Sequence, residues 1–271
     1  MKKIVFFIFV WAFQGIFAEV PLPGQSSPFI SIETLENSGQ LEFKVGEKTE
    51  TFEFGKGKPH YAMGLVFSRK NLPTSFAKSI GQNQIVQIAL GNRNTSAPDL
   101  ITQFGSLTLK IEELPSANAL KLPFQDTSKA DKDQGQSAFL ILNSSQMKFS
   151  QEDQEKLKST YFSETGEISV TSTKAVEKIS LPNTGKKLSF KRKNISFNID
   201  AKLATPFSGE KGSLKGTVQI PVFSPQGAEA NAFVAELAET SLDKNPEISP
   251  PKEAPRTLAS PEETLKPKRD K

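Results

Sequence analysis

Residues 186–203 read KKLSFKRKNISFNIDAKL. The second part alternates cleanly. Ile195, Phe197, Ile199, Ala201 and Leu203 fall on one side, and Asn194, Ser196, Asn198, Asp200 and Lys202 on the other. Successive side chains of a strand point to opposite faces, so a period of two predicts a half-buried strand with one solvated face. The first part is of another kind. Lys186, Lys187, Lys191, Arg192 and Lys193 crowd it with positive charge. Lys186 and Lys187 follow the turn-like Asn183-Thr-Gly185, Leu188 and Phe190 suggest a short strand, and Lys191-Arg-Lys193 lead into the long one. On this reading the basic residues surround a connection. Charges placed there keep a strand edge soluble and unpaired. The functional alternative is a site for a polyanion, formed by the same five residues.

The same alternation recurs along the chain. Leu41, Phe43 and Val45 alternate with polar residues, and after Gly46-Glu-Lys48 so do Phe52 and Phe54, which suggests a hairpin. Ile85–Leu90 and Phe139–Leu142 are more continuous apolar runs. Leu107, Leu109 and Ile111 alternate again, as do Ile168 and Val170, and Val218, Ile220 and Val222. Val176 and Ile179 lie in a further run. Gly39, Gly105, Gly166 and Gly212 each stand just before such a segment and read as turn punctuation. About a dozen short strands with this punctuation predict an all-β domain, an antiparallel sandwich or barrel, over residues 38–226. Helix is scarce. Ser150-Gln-Glu-Asp153 resembles a capping box. Residues 227–239 carry helix formers, with Phe233 and Leu237 four apart, and read as a short helix or a last strand.

The ends are distinct from this domain. Residues 1–18, MKKIVFFIFVWAFQGIFA, have a Lys2-Lys3 start, an apolar run from Ile4 to Phe13 and a small residue at Ala18. This is the layout of a secretory signal peptide, and the run is shorter than the roughly 20 residues that span a bilayer. Residues 19–37 follow as a linker and first strand. Residues 240–271 alternate proline with charge and cannot bury enough surface to offset their ordering entropy, so a disordered tail is expected. The expected location is therefore exported, periplasmic or extracellular, with no transmembrane segment once the signal is removed. The chain has no cysteine, so an exported domain of this size must hold by its core alone.

Composition narrows function further. The formal charge is +4, from 34 basic and 30 acidic residues. Loss of Lys2 and Lys3 leaves 32 basic residues and a charge of +2. Nucleic-acid binders concentrate far more charge on one face, so no nucleic-acid partner is expected. Trp11, the one tryptophan, lies in the signal, and only Tyr61 and Tyr161 accompany 21 phenylalanines. Phenylalanine is a core residue without the polar handle that sugar-stacking platforms and interfaces favour.

Few chemistries survive inspection. Cysteine catalysis is impossible, and His60 is the only histidine, with no Gly-x-Ser-x-Gly elbow for a serine hydrolase. A typical zinc site needs several His or Cys ligands. Asp131 and Asp133, before Gly135, are weak candidates for a Ca²⁺ loop that lacks its distal glutamate. Glu112-Glu113 and Glu152-Asp153 are the carboxylate pairs that a hydrolase would use. Asn94, Asn143 and Asn194 begin glycosylation sequons, which have meaning only in a eukaryotic secretory pathway.

The succession GEISVTS, KAVEKISL, ISFNIDAKL and LKGTVQIPVF resembles the C-terminal half of small exported bacterial β-sandwich or lipocalin-like proteins of unknown function. The resemblance covers at most residues 38–226 and brings no catalytic residue or cofactor. It implies a binding or envelope-associated role, with an envelope component or a small apolar ligand as partner. Three functions are thus expected in turn: a non-catalytic exported β-protein, a carboxylate-based extracytoplasmic hydrolase, or a peripheral binder of anionic lipid or cell-wall polymer.

Overall fold

The computed structural model describes residues 36–72, 77, 81–93, 101–116, 118–125, 135–143, 160–183, 186–205 and 209–243. The expected signal peptide, most of the linker and the proline-rich tail beyond residue 243 lie outside them. The described chain forms strands β1 (Ser38–Val45), β2 (Lys48–Phe54), β3 (His60–Phe67), β4 (Gln84–Arg93), β5 (Ile101–Ile111), β6 (Leu120–Pro123), β7 (Ser137–Asn143), β8 (Thr160–Asn183), β9 (Lys186–Ala204) and β10 (Lys211–Gln226). Helix α1 (Gly227–Asp243) follows β10 without a gap. Residues 227–239 are therefore helical rather than a last strand.

All ten strands belong to one sheet, in the order β6-β8-β7-β5-β4-β3-β2-β1-β10-β9, and β8 pairs with β9 to close it into a ring. The all-β expectation holds, and of its two forms the closed one is present. Every alternation that predicted a strand points as expected. Leu41, Phe43, Phe52, Leu107, Ile195 and Val218 all lie in one continuous interior core. The barrel is filled across its width. Phe52 of β2 stacks on Phe104 of β5 with ring centroids 4.4 Å apart. Phe43 of β1 meets Tyr161 of β8 edge-on at 5.2 Å. Rings that meet from strands three apart in the ring, among inward side chains that are buried throughout, leave the lumen to side chains.

Closure depends on β3. Its β4 edge is paired along its whole length, from His60 to Phe67. Its other edge is assembled from three sources. His60 pairs with Phe54 of β2, and Gly64 and Leu65 pair in parallel with Val222 and Phe223 of β10. Between them stands Asn37, just before β1. Its side-chain amide donates to the Ala62 carbonyl at 2.7 Å and accepts from the Ala62 N–H at 3.0 Å. A buried side chain thus supplies the two hydrogen bonds that a neighbouring strand would supply. At Gly64 an added Cβ would lie 2.8 Å from Val222 Cγ2, so glycine lets β10 approach.

Two features depart from expectation. The glycines read as turns lie inside strands. Gly166, within β8, has φ of 125°, and a Cβ there would stand 2.1 Å from the Asp200 carbonyl oxygen. Gly216 of β10 repeats this with φ of 139° against the Gln40 carbonyl. These are bends that let long strands coil around a barrel, where only glycine fits. The basic stretch is not a connection either. β9 runs unbroken through Lys191–Lys193, paired with β10 on one side and β8 on the other. It is a central strand, so the charges protect no edge.

Asn37→Ala is expected to leave a buried N–H and carbonyl of Ala62 unpaired and to lower stability by roughly 2–4 kcal/mol in urea unfolding. Asn37→Asp should cost more at neutral pH, because a carboxylate cannot donate to the Ala62 carbonyl.

Candidate functional site

The basic stretch sits where β9 changes the face it buries. Ile195 to Leu203 point into the barrel, whereas Leu188 and Phe190, of opposite parity, are also buried. The register with β10 is regular throughout, so no bulge intervenes. Past the barrel, β9 and β10 bury their other face. Phe223 of β10 lies on that face beside Arg192, and α1 packs against β9 and β10 with Ala230 and Val234 buried. Asn231 of α1 accepts from the Asn71 side chain at 3.2 Å, which ties the helix to the turn after β3.

Parity divides the five basic residues. Arg192 shares the face of Phe190, and its guanidinium is 2.8 Å from the Glu36 carboxylate. Lys191 and Lys193 share the barrel-side face. Lys193 Nζ donates to the Pro115 carbonyl at 2.8 Å. Ser172 Oγ donates to the same carbonyl, so the β5–β6 loop is moored across the barrel mouth. Lys191 is exposed. Its direct cross-strand partner on β8 is Lys178. Lys186 and Lys187 pair along the backbone with Asn183 and Pro182 of β8. Arg192 stands on one face and Lys191 and Lys193 on the other, so the five basic residues do not form one site.

The other candidates are placed more simply. Glu112 and Glu113 line a shallow cleft of about 310 Å³ with Pro115, Asn118 and Leu120. Asp131, Asp133 and Glu152-Asp153 lie outside the described residues, as does Asn94. Among the described residues no group of three His, Asp or Glu could hold a metal. No described helix is long and apolar enough to cross a membrane. His60 begins β3. Its Nδ1 lies 3.0 Å from the Glu53 N–H, and its ring packs edge-on against Phe52 and Phe104. It completes the β2–β3 seam. Asn143 and Asn194 end β7 and lie within β9.

Both tyrosines are buried, contrary to the surface role their side chains often take. Tyr61 lies over Gly91, where a Cβ would be 2.3 Å from its ring. Its hydroxyl has no partner among the described residues. Burial pushes this phenol well above its ordinary value of 10.0. Burial likewise raises Tyr161, and its 2.6 Å hydrogen bond to Glu210 and the charge of that carboxylate add to the effect.

These features define a side-chain-filled, closed β-barrel with a helix packed outside it. No known family model matches the chain, and neither a curated protein nor a solved structure is similar to it.

Each raised phenol contributes stability that is complete below about pH 10, the unfolded value, and is lost as pH climbs toward the folded one. With no other tyrosine in the chain, tyrosinate absorbance in an alkaline titration should appear only with cooperative unfolding. Tyr161→Phe, which removes the Glu210 bond, should cost about 1 kcal/mol in urea unfolding.

Proposed function

We propose that this chain is a non-catalytic exported β-barrel protein with a binding or envelope-associated structural role, working from the outside of the barrel. The carrying observation is the filled lumen. Lipocalin-like barrels that carry apolar ligands keep interior space for them, whereas here Phe52–Phe104 and Phe43–Tyr161 bridge the walls. The small apolar ligand is thereby the weaker of the two expected partners. The hydrolase reading has less support. A glycosidase sets two carboxyl groups across an enclosed, sugar-sized site, and Glu112 and Glu113 are consecutive, exposed residues on a shallow cleft.

The chain recovered from the extracytoplasmic fraction is expected to begin near Glu19. It should show no turnover against glycoside, ester and peptide substrates. Specific turnover abolished by Glu112→Gln or Glu113→Gln would overturn the reading, as would retention of the whole chain in the cytoplasm.

A further inference from the structure

We infer that the β5–β6 connection is a strap that opens and closes one end of the barrel, with the Pro115 carbonyl as its clasp. The inference goes beyond the proposed role and does not depend on it. The strap runs from Glu112, past the end of β5, to Ala119, just before β6. Its described residues, 112–116, 118 and 119, are half-buried or exposed. Leu114 of the strap and Leu120, where β6 begins, pack against the interior core. These two side chains cover the core at this mouth of the barrel.

Hydrogen bonding in the strap is concentrated at one atom. The Pro115 carbonyl accepts from Lys193 Nζ at 2.8 Å and from Ser172 Oγ. Among the described residues, residues 113–116, 118 and 119 make no further hydrogen bond or ion pair. None of them belongs to the sheet. A segment with so few bonds and little buried apolar surface opens at a lower free energy than the strands it joins. The strap can therefore leave without unpairing the wall.

The two donors are fixed and the acceptor is movable. Lys193 stands two residues before Ile195 on β9, where the barrel-side face ceases to be core. β8 leaves its regular register with β9 directly after Ser172, and such irregularities re-aim a side chain. Both donors are thus carried by long paired strands at the place where the barrel ends. The carbonyl is carried by the loop. Beside the strap lies the cleft of about 310 Å³, shared with Gln136, rather than a packed surface. The strap has room to move there. Opening breaks both bonds at Pro115 together and uncovers Leu114.

The chain has no cysteine, so one introduced thiol reports the strap without background. Leu114→Cys places it under the strap, Ser116→Cys on its exposed side, and Leu122→Cys in the core of β6. The full chain is then treated with a thiol reagent under native conditions. Labelling at position 114 is expected to be slower than at 116 and faster than at 122. It should be independent of urea below the unfolding transition, because a local opening exposes little surface. Adding Lys193→Met should speed labelling at 114 roughly fivefold, and Ser172→Ala by a similar factor, as the loss of one hydrogen bond each. Labelling at 116 should not change. Lys202→Met, which removes an exposed lysine of the same strand, should leave the rate at 114 as in the parent. Labelling at 114 as slow as at 122 would mean that the strap opens only with the barrel, and would overturn the inference. A rate equal to that at 116 would mean that there is no closed state, and would overturn it too. So would a rate at 114 that neither Lys193→Met nor Ser172→Ala alters, or one that Lys202→Met raises equally.

Discussion

The ring closes because the second edge of β3 finds hydrogen-bond partners between His60 and Leu65. β2 serves its start and β10 its middle, and neither reaches Ala62. The Asn37 amide fills that gap with one donor and one acceptor, the same pair a strand residue presents. Buried backbone groups without partners cost more than the bonds themselves return, so closure without Asn37 would leave a flaw in an otherwise continuous wall. The crossing of β10 from β1 to β3 is equally constrained. It needs Gly64, where a methyl group would collide with Val222.

From closure follows the rest of the architecture. A ring of this size brings the walls close enough for phenylalanines to touch across it, so the chain's phenylalanine excess goes into a solid interior. The working surface is then external. Of the external features, the ribbon beyond the barrel mouth is the one where both faces of a strand change occupation. Its outer side is taken by α1, and its barrel side, no longer facing a core, carries Lys191 to solvent. The exposed charge at Lys191 and the buried ring of Phe190 have one cause, the end of the barrel.

That change of face also explains where reading the chain as a string goes astray. Between Phe190 and Ile195 the apolar period shifts by one residue, which in a single strand packed on one core signals a break. The strand does not break; the core changes sides. β3 was not singled out for a related cause. HYAMGLVF is buried on both faces, so it shows no alternation to detect. Gly166 was legible as a special position but not as a bend, because a residue with positive φ serves a turn and a coiled strand equally well, and Gly216 carried no mark of its own. The basic stretch was legible in part. Its charges are plain in the sequence, whereas the division of Arg192 from Lys191 and Lys193 between two faces follows from where the barrel ends.

Local pattern was sufficient for the strand class and the inward sets Leu41–Val45 and Ile195–Leu203, because each depends on a period within one element, whereas the segment after β10 read equally as helix or strand until the structure made it α1. Pairing across the sheet assigned closure by Asn37, the burial of both tyrosines, the moorings of Arg192 and Lys193, and the juxtaposition of Lys178 with Lys191. Those depend on which strands become neighbours, and hydrogen-bond partners far apart in the chain leave no mark on the residues between them.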